Sequence, residues 1–270
     1  MLIRLFSFIK LKRLPCYLGF LKAIDFSPII YISLLLVLLL SGCVTAPVQK
    51  TLQNPLAEWS PSENFDARKP RLIVIHGTEM NNAESALLVL KSQNSAGRVS
   101  AHYLIADDGK IFQLVEDQQR AWHAGAGRWR GINDLNSISI GIELDNDGIE
   151  AFQPQQIQAL IKLLDDLCRR WDIPRTAIIG HADLAPARKS DPSAKFPWQE
   201  LAQAGFGYWY NDSLNEVPVG FDAVLALRAF GYDTRDLPAA VTAFKRRFRG
   251  TEGNELDAFD AKILYNLLQQ

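Results

Sequence analysis

Between residues 71 and 198 the chain alternates short apolar runs with amphipathic stretches. Arg71-Leu72-Ile73-Val74-Ile75 is a continuous, β-branched run. It predicts a strand buried on both faces, and it ends in His76-Gly77-Thr78. Asn82 is placed to cap a helix over 83–93, where Leu87, Leu88 and Leu90 give a modest apolar face. Tyr103-Leu104-Ile105 and Ile111-Phe112-Gln113-Leu114-Val115 flank Asp107-Asp108-Gly109-Lys110, and Asp-Gly between apolar runs predicts a hairpin. Ser137 to Leu144 alternates in the manner of a strand. Pro154 sits at a helix start, and Ile157, Leu160, Ile161, Leu164, Leu167, Cys168 and Trp171 follow at amphipathic spacing up to Pro174. A strand over 178–181 then leads into a loop punctuated by Pro186, Pro192 and Pro197. Strands alternating with helices predict an α/β fold, a mixed central sheet flanked by helices.

Two segments flank this pattern. Beyond an aromatic, glycine-rich stretch over 198–209, three short helical patterns occupy 221–230, 238–248 and 256–268. A three-helix unit over 217–270 is small for an independent core and is expected to dock on the main domain over 70–210. At the other end, Arg4, Lys10, Lys12, Arg13 and Lys22 precede an apolar run over 29–40, then Leu40-Ser41-Gly42-Cys43. The apolar run is short of the roughly 20 residues a bilayer span needs, so residues 1–43 read as an export signal. Residues 44–69, polar and carrying Pro47, Pro55 and Pro61, read as an extended tether.

Composition narrows the chemistry. The 270 residues are 48% hydrophobic and 22% charged, with a net charge of −1. That balance implies no bulk attraction to nucleic acid. Of 3 cysteines, Cys16 would leave with the leader and Cys43 would be modified. Cys168, left alone in a helical pattern, reads as a buried small hydrophobe, and no disulfide or thiolate metal cluster is available.

The 4 histidines all lie between residues 71 and 191. His76 and His181 end apolar strands, where side chains emerge at a sheet edge. With Asp191 they would make a set of two imidazoles and a carboxylate suited to a catalytic zinc, which leaves a position open. The alternative is a pair of structural histidines at strand ends. Glu143, in the run Ile140-Gly141-Ile142-Glu143-Leu144, is either a solvent-facing strand residue or a base beside the metal. Lys189 is either a solvated loop lysine or a cation for a developing oxyanion. Trp122 and His123 lie in a glycine-rich loop able to approach a ligand, or else cap the core. His102 reads as structural. The run Lys245-Arg246-Arg247-Phe248-Arg249 reads as a solvated helix face.

These motifs, in order, resemble a family. Ile75-His76-Gly77-Thr78, Ser100-Ala101-His102-Tyr103, Ala121-Trp122-His123-Ala124-Gly125, Ser139 to Leu144, Gly180-His181-Ala182-Asp183-Leu184-Ala185-Pro186 and Arg188-Lys189-Ser190-Asp191-Pro192 resemble the zinc N-acetylmuramoyl-L-alanine amidases of type 2. These share their fold with peptidoglycan recognition proteins. The resemblance implies His76, His181 and Asp191 as ligands of Zn2+, Glu143 as activator of the attacking water and Lys189 as oxyanion stabiliser. Trp122 and His123 would line the substrate cleft. It further implies peptidoglycan and muropeptides as partners. Residues 217–270 resemble a peptidoglycan-binding helical module, and the lipobox-like Cys43, followed by Val44, implies a lipoprotein of the Gram-negative outer membrane facing the periplasm; a monomer is expected. Two other readings are a recognition lipoprotein that binds peptidoglycan without cutting it and a zinc hydrolase acting on another amide.

Overall fold

The computed structural model describes residues 53–64, 66–67, 70–92 and 97–270. The leader, Cys43 and the start of the tether lie outside the described residues. Eight strands run in chain order: β1 (Glu58–Trp59), β2 (Asp66–Ala67), β3 (Leu72–Gly77), β4 (Tyr103–Ile105), β5 (Ile111–Gln113), β6 (Gln119–Arg120), β7 (Ser139–Leu144) and β8 (Ile178–Gly180). Six of them form one mixed sheet, ordered β1-β5-β4-β7-β3-β8, in which only β4 and β5 are antiparallel. The short β2 and β6 pair separately. The class is thus the α/β fold with a mixed sheet expected from the alternating pattern.

β3 lies between β7 and β8, parallel to both, which is why its run is apolar without alternation. Its two faces serve different cores. Ile73 and Ile75 pack with Ile140 and Ile142 against Leu160, Leu163, Leu164 and Leu167 of the long helix α2 (Pro154–Trp171). Leu72 and Val74 face the other side, with Ile179 and the C-terminal helices. The helix α1 (Ala83–Lys91) covers Leu104 and Leu114 farther along that second face. The predicted N-cap holds, with Asn82 Oδ1 accepting from the Ser85 amide at 2.9 Å. α2 starts at Pro154, and Asp172 ends it in the left-handed region (φ +57°). Cys168 is buried on this helix.

The strand expected over 178–181 stops one residue early. Gly180 closes β8, and His181 opens a single helical turn, α3 (His181–Leu184). The cause is local: Asp183 Oδ2 accepts from the Gly180 amide at 2.7 Å and bends the chain into the turn. A further short helix, α4 (Trp198–Gln203), forms within the aromatic stretch.

Three helices follow: α5 (Ala223–Phe230), α6 (Leu237–Arg249) and α7 (Ala258–Leu267). Each begins on an aspartate, Asp222, Asp236 or Asp257, whose side chain accepts an amide of the first turn. Residues Leu227, Phe230, Tyr232, Phe244 and Phe248 share one apolar cluster with Leu72, Val74 and Ile179 of the sheet. The basic run on α6 corrects the expectation of a solvated face. Lys245, Arg246 and Arg247 are all buried. Lys245 pairs with Asp260 at 2.6 Å, Arg246 with Glu252 at 2.8 Å and Arg247 with Asp183 at 2.6 Å. Covered on opposite sides, α6 has little face left for water.

The expected tether is also too long at its far end. Asn54 is buried, its amide donating to Gln113 Oε1 at 2.7 Å and its side chain to Asp166 at 2.8 Å. β1 then adds a parallel edge strand to β5. A polar composition marks this segment as linker, but its asparagine and backbone find partners on an open sheet edge.

Candidate active site

The register of the central strands sets up the site. His76 of β3 lies opposite Glu143 of β7, so the two side chains leave the same face of the sheet at adjacent positions. β8 runs on the other side of β3 and delivers His181 through the turn at Gly180. The loop after α3 returns, and Ala182 N donates to Asp191 O at 2.8 Å, which brings the Asp191 side chain back over His181.

Three acceptor atoms meet there. His76 Nδ1 is 2.9 Å from His181 Nδ1 and 3.2 Å from Asp191 Oδ2, and His181 Nδ1 is 3.1 Å from that oxygen. All three residues are buried. The partners of the other ring nitrogens decide where the protons sit. Ser139 Oγ donates to the Leu135 carbonyl at 2.6 Å, so it can accept from His123 Nε2 at 3.2 Å. His123 Nδ1 is then an acceptor, 3.0 Å from His76 Nε2, which must carry its proton. His181 Nε2 faces the Ala124 carbonyl at 3.1 Å and is a donor for the same reason. Both Nδ1 atoms therefore present lone pairs to each other and to a carboxylate.

Such a triangle is repulsive unless a cation occupies its centre. A proton is a poor candidate at neutral pH. Burial and the neighbouring His181 push His76 down from 6.5 to about 4. Burial alone would raise Asp191, but the two imidazoles outweigh it and hold the carboxyl well below the usual range, so it stays ionised. A tetrahedral ion with bonds of about 2.0–2.1 Å separates neighbouring donors by roughly 3.3 Å, close to the spacing observed. The donor set fits a small divalent metal.

These ligand atoms open on a cavity of about 170 Å³, whose lining also includes Glu143, Lys189, Thr78, Glu79 and Met80. Burial pushes the Glu143 carboxyl up to about 8, the Asp191 charge adds to this, and Lys189 opposes it. A carboxyl raised in the folded state stabilises the fold fully only below its unfolded value, near 4.5. That contribution is lost as pH rises through about 8. We expect Glu143→Gln to raise the Tm of the metal-free protein at pH 8 by roughly 2–4 °C and to leave it unchanged near pH 4. Thermal melts in chelator at both pH values check this; equal melting temperatures at pH 8 would refute it.

The structure brings together His76, His181, Asp191, Glu143, Lys189 and His123, but not Trp122. The Trp122 indole packs against the guanidinium groups of Arg98 (4.7 Å) and Arg120 (4.3 Å), outside the lining of this cavity. His123 reaches the cavity yet is buried, and its ring nitrogens hold His76 and Ser139, so it supports a ligand more than it meets a substrate. Gly141 makes room for it: a Cβ there would lie 2.4 Å from His123 Cγ. His102 is structural as expected, with Nδ1 accepting from Gly141 N at 2.9 Å and Nε2 on the Gln119 carbonyl at 3.0 Å.

Four supporting residues carried no periodic signal. Ser139 orients His123. Asn136 Oδ1 accepts the amides of His123 and Ala124 at 3.1 and 2.9 Å. Arg188 donates to the Ala124 and Ala126 carbonyls at 2.8 and 2.9 Å and so fixes the loop that faces His181. Glu79, held in the left-handed region (φ +52°), accepts from Ser190 Oγ at 3.0 Å at the cavity rim.

The N-acetylmuramoyl-L-alanine amidase family matches this chain over residues 66–194, the span that carries every residue of the site. The AmiD N-acetylmuramoyl-L-alanine amidase of Escherichia coli K12 is 37% identical over 268 residues, covering 86% of this chain and 95% of that protein. The chain belongs to the N-acetylmuramoyl-L-alanine amidase family. The 1,6-anhydro-N-acetylmuramyl-L-alanine amidase AmpD of Citrobacter freundii is 34% identical over 157 residues, 51% of this chain and 84% of that protein. Among solved structures, E. coli AmiD in complex with anhydro-N-acetylmuramic acid-L-Ala-D-gamma-Glu-L-Lys superposes with a TM-score of 0.65, covering 75% of this amidase and 91% of that chain. AmpDh3 of Pseudomonas aeruginosa, in complex with an anhydromuramic pentapeptide, gives 0.65 at 30% identity, over 84% of this amidase and 98% of that chain.

Proposed function

We propose that this family member is a zinc enzyme that hydrolyses the amide bond between N-acetylmuramic acid and L-alanine in peptidoglycan, in cell-wall turnover or recycling. The observation that carries the reading is the convergence of three lone-pair donors, His76 Nδ1, His181 Nδ1 and Asp191 Oδ2, beside a half-buried carboxylate at Glu143. Similarity to AmiD and AmpDh3, whose structures are solved in complex with anhydromuramic peptides, supports the substrate class.

Two imidazoles and one carboxylate would hold the zinc, whose charge polarises the scissile carbonyl and acidifies water when bound. Glu143 takes a proton from the attacking water. An elevated affinity for protons suits it to receive that proton and then to pass it to the departing L-alanine amine. Lys189, lining the same cavity, places an ammonium near the negative charge that develops on the carbonyl oxygen. His123, Asn136 and Arg188 keep the imidazoles in the required tautomer and orientation.

The test is direct. Full-length protein purified in detergent would be assayed for zinc per chain, then incubated with purified peptidoglycan. Mass spectrometry should find free stem peptides that begin with L-alanine. Zinc without such peptides would reassign the substrate to another amide; neither zinc nor cleavage, with peptidoglycan retained, would make the protein a binding lipoprotein.

We also propose that Cys43 carries lipid and anchors a monomer to the periplasmic face of the outer membrane. Support comes from Leu40-Ser41-Gly42-Cys43-Val44 after a basic and apolar leader. Cys43→Ser should move the protein from the membrane pellet to the soluble fraction on fractionation. Retention in the pellet would indicate a different anchor.

A further inference from the structure

The turn that carries His181 is too short to hold itself. α3 is one helical turn, and a single turn fixes several backbone dihedrals for little hydrogen bonding. Its geometry therefore comes from outside. Asp183, two residues after His181, points roughly 200° around the helix from it, away from the cavity. Its carboxylate is buried at 2% exposure and fully engaged. Oδ2 accepts from Gly180 N at 2.7 Å and from Arg247 Nη1 at 2.6 Å, and Oδ1 accepts from Tyr232 OH at 2.5 Å. Arg247 also donates through Nη2 to the Ile178 carbonyl of β8 at 3.0 Å, and its guanidinium lies 4.4 Å over the Trp198 ring. One C-terminal side chain thus grips both the strand before His181 and the helix after it.

The same junction supports a second ligand. Ala182 N donates to Asp191 O, and a Cβ on Gly180 would stand 3.0 Å from Pro192 Cδ, so the loop carrying Asp191 rests directly on this turn. Arg247 and Tyr232 both come from the C-terminal unit; nothing in the reaction itself uses them.

We propose that Arg247, with Tyr232, is a positioning residue for the metal site. The C-terminal helices would then serve the reaction by clamping Asp183 and, through it, holding His181 and Asp191 in place. This rests on the reading of those two residues as zinc ligands. Breaking the clamp from the C-terminal side leaves a buried carboxylate without its counter-charge, and the cheapest relief is for the turn to open toward water.

Arg247→Met, Arg247→Lys and Tyr232→Phe would be made in the full-length chain and compared with wild type. Two quantities are read: backbone hydrogen exchange over 178–183 in the metal-free protein, and zinc affinity by competition with a chromogenic chelator. Circular dichroism verifies folding. Faster exchange is expected in Arg247→Met, with zinc bound roughly 10–100-fold more weakly, the size typical of lost outer-shell support. Arg247→Lys should recover part of that affinity, and kcat at saturating zinc should change far less than zinc affinity. If Arg247→Met does not fold, Tyr232→Phe decides, since it removes one hydrogen bond and keeps the ring; at least threefold weaker zinc binding is expected. Folded variants with wild-type zinc affinity overturn the proposal while the zinc reading stands. A wild-type protein that binds no zinc overturns the ligand assignment first, and the positioning role with it.

Discussion

His181→Ala is expected to abolish stoichiometric zinc binding and to lower kcat/KM for muropeptide cleavage by about a thousandfold or more, equivalent to roughly 4 kcal/mol of transition-state stabilisation. The reason lies in the donor set. Among the described residues, His181 Nδ1 is one of three atoms that converge on the proposed metal position, and it sits 2.9 Å from His76 Nδ1 and 3.1 Å from Asp191 Oδ2. With it gone, one imidazole and one carboxylate remain, and water must complete the shell. Among the described residues, no other histidine, cysteine or carboxylate forms a metal-ready group with His76 and Asp191. Zinc content by atomic absorption and peptide release by mass spectrometry read the two consequences separately. A variant that keeps one zinc per chain and normal cleavage would remove His181 from the metal site.

Glu143→Gln is the complementary case. It should retain zinc, because the carboxylate is not one of the three converging atoms, and it should lose about 10²–10⁴-fold in kcat, the range for removing a general base. The amide fills the same volume on β7 opposite His76 but accepts no proton at working pH. The gain in melting temperature expected for the metal-free variant at pH 8 would then accompany a loss of turnover in the same protein. Both results have one cause. The site holds a carboxylate whose charge burial opposes, and the fold bears that cost for the sake of proton transfer. Full turnover in Glu143→Gln would mean that another group takes the proton, with Glu79 in the cavity lining the carboxylate to test outside the metal-ligand set.

Much of the site was legible because the chemistry and the strand ends coincide. An uninterrupted apolar run such as Leu72-Ile73-Val74-Ile75 can hardly be other than a central strand, and the first polar residue after it must emerge at the edge of the sheet. The same logic finds His181 after Ile178-Ile179 and flags Glu143 as the one carboxylate in β7. Resemblance to the amidases then assigned roles that spacing alone left open. Trp122 is less legible: within its motif His123 lines the cavity, whereas the Trp122 ring lies against Arg120, two residues before it, and Arg98.

The supporting residues were illegible for a plain physical reason. Ser139 and Asn136 matter through hydrogen bonds to a loop 12 to 16 positions away, and such bonds leave no period. The basic run of α6 misled in the opposite direction. Three consecutive cations ordinarily signal a wetted surface; here Asp260 and Asp183 turn Lys245 and Arg247 into buried pairs, and Arg246 is covered while it reaches the exposed Glu252.

The sequence by itself determined the elements, their α/β order and the residue types able to bind a metal and move a proton, because hydrophobic period and side-chain chemistry are local properties. Tertiary structure decided the rest: that His76 and Glu143 share a register position, that carbonyls at Leu135 and Ala124 turn both Nδ1 lone pairs inward, and that Arg247 reaches back to the turn bearing His181. Each of these depends on which distant groups the packed core brings within about 3 Å, where hydrogen bonds and ion pairs act, and no local pattern encodes that distance.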